Sequence, residues 1–181
     1  MKVNDDEYIK IAIQFAKDTN PIWPFAAIIV NEQGKIICKA TDCAHISPIF
    51  HAETLAIHAL IPWKKQINLG SLALYTTAEP DVMSQSAIHW ANLVHDLSIQ
   101  KVCFGSSLNT IQKLWPFGID IPAKEVIERS HSKINLIGLI NEAECNELFL
   151  TAKQEQAKLS KHHPAQGVLS NEVTDFYQLT L

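Results

Sequence analysis

Two short stretches carry side chains whose types and spacing could do chemistry. One is His51-Ala52-Glu53, at the head of a helical run, and the other is Thr77-Ala78-Glu79-Pro80-Asp81, followed by Ser84. Both read as strand-to-helix junctions. In open α/β sheets ligands collect at such places, because the first N–H groups of a helix lack partners and the dipole there is positive. His51 and Glu53 are two residues apart, about 200° around an ideal helix, so they converge only if one of them sits at an irregular helix entry. An imidazole on a metal at the entry, with a carboxylate one step inside, meets that condition. A plainer reading stands beside it. After Pro80, an Asp in the first turn complements the dipole and Ser84 is a polar first-turn residue. His51 then caps its helix or pairs with Glu53.

The elements that must hold these residues follow from periodicity. Residues 5–18 form an amphipathic helix with Ile9, Ala12, Ile13 and Ala16 on one face. FAAIIVN (25–31) and KIICKA (35–40), joined by EQG, predict a β-hairpin. A helix is expected over 51–61, ended by Pro62, then a strand over 71–77 and a helix over 80–93 with Pro80 in its first turn. Further strands are expected at 101–106 and 134–140, with helices at 107–115 and 141–160. Strands alternating with helices imply an α/β protein, a three-layer α/β/α sandwich around a mixed five-stranded sheet. Residues 1–160 form one domain on this reading. The tail, 161–181, turns apolar near Phe176 and Tyr177 and is expected to pack on its own or a partner subunit.

Composition narrows the partners. The chain has 181 residues, 47% of them hydrophobic and 19% charged, with a formal net charge of −4, so nothing basic argues for a nucleic-acid backbone or a membrane surface. The N-terminal stretch has helical spacing and early carboxylates rather than the make-up of a signal peptide, and no apolar run reaches about 18 residues. Cysteines 38, 43, 103 and 145 form no C-x-x-C and suggest free thiols in a cytoplasmic protein. Cys38, Cys103 and Cys145 read as buried apolar residues. Trp23, Phe25 and Trp90 read as core or dimer interface, with Phe25 the one expected to face a pocket.

The order of motifs adds a resemblance. HAE at 51–53, followed by TTAEP-x-x-M-x-x-x-AI-x-W from residue 76, with WPFAAIIV at 23–30 and VCFGSS at 102–107, resembles the zinc-dependent cytidine/guanine/tRNA-adenosine deaminase superfamily, and its guanine deaminase-like branch in particular. The resemblance covers roughly residues 5–160. It implies that His51 is a metal ligand and Glu53 the proton shuttle of a hydrolase acting on the C–N bonds of cyclic amidines. Phe25, Thr41, Asp42 and Ala52 would then contact the substrate, a purine or pyrimidine base or nucleoside, in a homodimer.

The sequence departs from that pattern where it matters. The family signature H-x-E … P-C-x-x-C has two thiolate ligands, and Asp81 and Ser84 stand in their places. The Asn usual before the HAE helix is absent, with Thr41 or Asp42 nearest. A neutral serine is a poor zinc ligand, so His51, Asp81 and Ser84 are expected to hold zinc weakly or not at all. Cys43 and His45, just upstream, are the candidates for an extra ligand. Three readings follow: a deaminase-fold protein without conventional zinc-dependent activity, an active deaminase with a noncanonical metal and Glu53 as proton shuttle, or a non-catalytic partner subunit of an active deaminase.

Overall fold

The computed structural model describes residues 4–64, 68–116, 118–159 and 172–180. The chain opens with α1 (Asp5–Thr19), whose first turn holds Asp5, Asp6 and Glu7 and is closed by a reciprocal capping box between Asn4 and Glu7. Its buried face comprises Tyr8, Ile9, Ala12, Ile13, Phe15 and Ala16, at the helical spacing the sequence shows. β1 (Ala26–Asn31) and β2 (Ile36–Thr41) follow as an antiparallel hairpin. Then come α2 (Ala52–Leu60), β3 (Leu72–Ala78), α3 (Val82–His95), β4 (Ile99–Ser106), α4 (Leu108–Leu114), α5 (Ala123–Arg129), β5 (Asn135–Ile137), α6 (Glu142–Leu159) and β6 (Tyr177–Leu179).

The strands form one mixed sheet in the order β5-β4-β3-β1-β2-β6. β3, β4 and β5 run parallel, while β1 lies antiparallel to both β2 and β3. Period-two alternation in β1 divides the core. Ala27 and Ile29 join α2 and α3 on one face, and Ala26, Ile28 and Val30 join α1 and α6 on the other. The three-layer α/β/α sandwich is therefore as the sequence predicts.

Several elements differ in detail. The sheet has six strands rather than five. The sixth comes from the tail and pairs antiparallel with β2, Cys38 opposite Leu179 and Ala40 opposite Tyr177. Of the tail singled out above, residues 161–171 and 181 lie outside the described residues. The strand expected over 134–140 is only Asn135–Ile137. At Gly138 a Cβ would meet the Phe104 ring at 2.3 Å, and Leu139 takes a positive φ of 63°, so the chain leaves the sheet there. α5 was not foreseen, because seven residues behind Pro122 give too short a periodic signal. Pro62 does not stop α2 abruptly, since residues Ile61–Trp63 continue it as a 3-10 turn with Pro in the first positions.

Phe176 ties the tail to the domain. It is 2% exposed, packs in the core cluster of α2, β1, β2 and β3, and meets the His45 ring edge-on at a centroid distance of 5.2 Å. Phe176→Ala is expected to destabilise the protein by about 3–5 kcal/mol, the cost of emptying a packed aromatic site. Urea unfolding measures it. A loss below about 1 kcal/mol would show that the tail is not docked as described.

Candidate functional site

The N-termini of α2 and α3 lie side by side at the C-terminal end of β3. They contribute His51, Glu53, Asp81 and Ser84 to a cavity of about 490 Å³. Trp23, Phe25, Asp42, His45, Glu79 and residues of the 108–119 segment, among them Leu108, Ile111, Gln112 and Ile119, also line it. His51 is the N-cap of α2, with extended φ −69° and ψ 161°, and makes no capping bond with its side chain. That extended entry lets His51 and Glu53, which an ideal helix would send to opposite sides, line the same space. Asp81 is the N-cap of α3, so Pro80 lies before the helix rather than in its first turn.

These residues form a continuous chain of hydrogen bonds. The Thr76 hydroxyl donates to Glu53 Oε1 at 2.6 Å, and the Ser84 hydroxyl donates to Glu53 Oε2 at 3.1 Å. The Ser84 backbone N–H donates to Asp81 Oδ1 at 2.7 Å, the usual bond of an Asp N-cap. His51 Nδ1 completes the chain at 3.2 Å from Asp81 Oδ2. Ser84 thus joins the two carboxylates, through its side chain to one and its backbone to the other.

Electrostatics follow from this arrangement. Burial raises the Glu53 carboxyl above the ordinary carboxylate range, and the Thr76 hydrogen bond only partly offsets it. Asp81 goes the other way. Burial would raise it, but the His51 and Ser84 hydrogen bonds together with the His51 charge hold it low. Burial by itself would lower His51, yet the hydrogen bond and charge of Asp81, with Asp42 and Glu53 behind, lift it to about 9. Asp42 is raised by burial, beyond what the Ala44 N–H and the two imidazoles recover.

A tetrahedral zinc site needs three or four deprotonated donors aimed at one point. Among the described residues no three His, Cys, Asp or Glu side chains are grouped so as to hold a metal ion. His51 Nδ1 is paired with Asp81, both Asp81 oxygens are engaged, and the Ser84 hydroxyl is committed to Glu53. His45 lines the cavity, but Cys43 is buried in the core, where burial, aided by the Asp42 charge, pushes its thiol up to about 12. That leaves no thiolate for a metal. The residues present do not fit zinc.

Of the other positions singled out in the sequence, Phe25 and Asp42 line the cavity. Phe25 packs on Phe149 and Trp115 at centroid distances of 4.8 and 6.0 Å, while Trp90 stands 57% exposed on the outer side of α3. Ala52 and Thr41 are fully buried behind the cavity, and the Thr41 hydroxyl has no hydrogen-bond partner among the described residues. Sequence reasoning missed Thr76, although its place in β3 opposite Ala27 turns it toward α2. It also missed Glu79. That carboxylate accepts from the Leu108 N–H at 2.9 Å and the Ala123 N–H at 3.0 Å, capping α4 and α5 together. The cue was an acidic residue next to Pro at a strand end, but its partners follow only from the fold.

Residues 2–105 match the family model described as the cytidine and deoxycytidylate deaminase zinc-binding region. The chain belongs to this deaminase family. Among sequence relatives, a probable cytosine deaminase of Schizosaccharomyces pombe is 28% identical over 138 residues, 73% of this chain and 79% of that protein. Among solved structures, the guanine deaminase from Nitrosomonas europaea superposes with a TM-score of 0.65 at 16% identity, over 85% of this chain and 86% of that one. A tRNA:A34 deaminase gives a TM-score of 0.61 at 20% identity, over 78% of this chain and 98% of its own. The matched family is described as a zinc-binding one.

The His51–Asp81 pair has a measurable signature. His51, ordinarily near 6.5, is expected to titrate at about 9 in the folded protein. Because its folded value is raised, the pair's stabilisation is fully present below 6.5 and is lost as pH rises through about 9. Asp81 is lowered from 3.8, so the same pair is lost again as pH falls through that lowered value. Imidazole NMR of the wild type and of Asp81→Asn checks this. The variant should return His51 toward its ordinary range, and a wild-type midpoint already there would show that the pair is not formed.

Proposed function

We propose that this deaminase-family chain binds a planar purine or pyrimidine base in its helix-entry cavity and does not run conventional zinc-dependent deamination. The observation that carries the reading is the hydrogen-bonded chain Thr76–Glu53–Ser84–Asp81–His51, which engages the side chains at every ligand position of the family pattern. Neutral hydroxyl and cap carboxylate replace the two thiolates that would bind a borderline-soft ion. The cavity has apolar lining suited to a flat ring, from Trp23, Phe25, Leu108, Ile111 and Ile119. Solved structures of similar fold hold 8-azaguanine, at a TM-score of 0.70, and 2,6-diaminopurine, at 0.68, which supports a flat heteroaromatic ligand and the guanine deaminase-like branch.

The reading places the protein in the cytoplasm as a homodimer. Supporting this, Ile49, Trp90, Leu93 and Val94 stand exposed along α3 and the loop before α2, and the described cysteines are free. Among the described residues no helix is long and apolar enough to cross a membrane.

Metal analysis of tag-free protein, alongside the Asp81→Cys/Ser84→Cys double variant, tests the reading. The wild type is expected to hold far less than one zinc per chain and the double variant about one, since the variant restores a His-Cys-Cys donor set. Stoichiometric metal in the wild type, or brisk ammonia release from a panel of bases that Glu53→Ala abolishes, would overturn the reading in favour of an active enzyme with altered ligands.

A further inference from the structure

The charge balance of the cavity, taken with its aromatic walls, says which bases it favours. This inference rests on the base-binding reading above. Four carboxylates line the space, Asp42, Glu53, Glu79 and Asp81, and no Lys or Arg is among its described lining residues. In the zinc-binding pattern of the family a dication sits among such groups. His51 Nδ1 lies 3.2 Å from Asp81 Oδ2 and is therefore already paired within the cavity.

The four carboxylates are not equivalent. Glu79 spends both oxygens on the N–H groups of α4 and α5, and Glu53 is held by two hydroxyls. Asp42 is different. Its backbone is pinned from both sides: its N–H donates to Phe25 O at 3.0 Å and its carbonyl accepts from Asn20 Nδ2 at 2.7 Å. Its Oδ1 accepts from the Ala44 N–H at 3.0 Å. The carboxylate is thus fixed in place at the cavity wall, near the Phe25 end, with acceptor capacity left over.

We infer that the cavity selects a cationic, amino-bearing heteroaromatic base over its neutral oxo counterpart, with Asp42 as the residue that reads the charge. The ligand's delocalised cation supplies the positive charge that the family pattern assigns to a metal. Its ring lies against the aromatic wall, and its exocyclic N–H donates to Asp42 in a charge-assisted bond. Such a pocket disfavours phosphorylated ligands, whose charge matches that of its walls.

A matched pair of ligands tests this. 1,9-Dimethyladenine is a cation at neutral pH, and 1,9-dimethylhypoxanthine has nearly the same shape without the charge. Calorimetric titration of the full chain is expected to favour the first by about tenfold, the difference between a charge-assisted and a neutral hydrogen bond. In Asp42→Asn, which can still accept from the Ala44 N–H, that preference should fall to about twofold or less with the melting temperature unchanged. Equal binding of both ligands by the wild type would overturn the charge selection and leave base binding standing. Binding of neither, nor of guanine, would overturn both. A preference that survives Asp42→Asn would overturn the role of Asp42.

Discussion

The candidate site depends on the meeting of two helix N-termini at the end of one strand. Each helix start brings unpaired N–H groups and a positive dipole end, and each must be answered by acceptors. In this chain side chains give the answer for α3. Asp81 caps the helix through the Ser84 N–H, and the Asp81 carboxylate then attracts the imidazole that caps α2 in position but not in bonding. The need to satisfy helix ends and the need to stabilise a buried Glu53 are met by one hydrogen-bonded chain.

The sheet beneath holds that chain in place. The sheet positions Thr76 beneath Glu53 because β1 and β3 pair antiparallel with Ala27 opposite Thr76, which turns both toward α2. The adjacent Thr77 faces the opposite layer, accepting from the Ala26 N–H and donating to the Pro24 carbonyl at 3.0 Å each. Neighbouring threonines therefore serve different layers. One supports the site, and the other locks the start of β1, which carries Phe25 to the cavity wall.

Much of this was legible in the sequence where periodicity is strong. The apolar face of α1 and the helix behind His51 read correctly, and the condition that one of His51 and Glu53 sit at an irregular helix entry is met by His51 as N-cap. The motif order led to the family that the residue 2–105 match shows. Other features were not legible, for physical reasons. β6 is three residues long and gains its order from pairing with β2, so no local pattern announces it. α5 is too short to show a period. The ion pair between His51 and Asp81 joins positions far apart in the chain, and only the crossover through β3 brings them together. Thr76 looks like one more strand residue, and Glu79 like turn chemistry beside Pro80, until their partners are placed.

Glu79 has a consequence for how this pocket varies. One carboxylate holds the starts of both α4 and α5, and the segment between them supplies Ile111, Gln112 and Ile119 to the cavity. The floor, by contrast, is built from α2, α3 and β3 and holds itself together without that segment. Glu79 is one of the links between floor and wall, beside the packing of α5 on α3 and of Trp115 on Phe25. Substitutions at Ile111, Gln112 or Ile119 can reshape the ligand outline without touching the buried polar chain, so ligand preference can drift at these positions while the floor stays as it is.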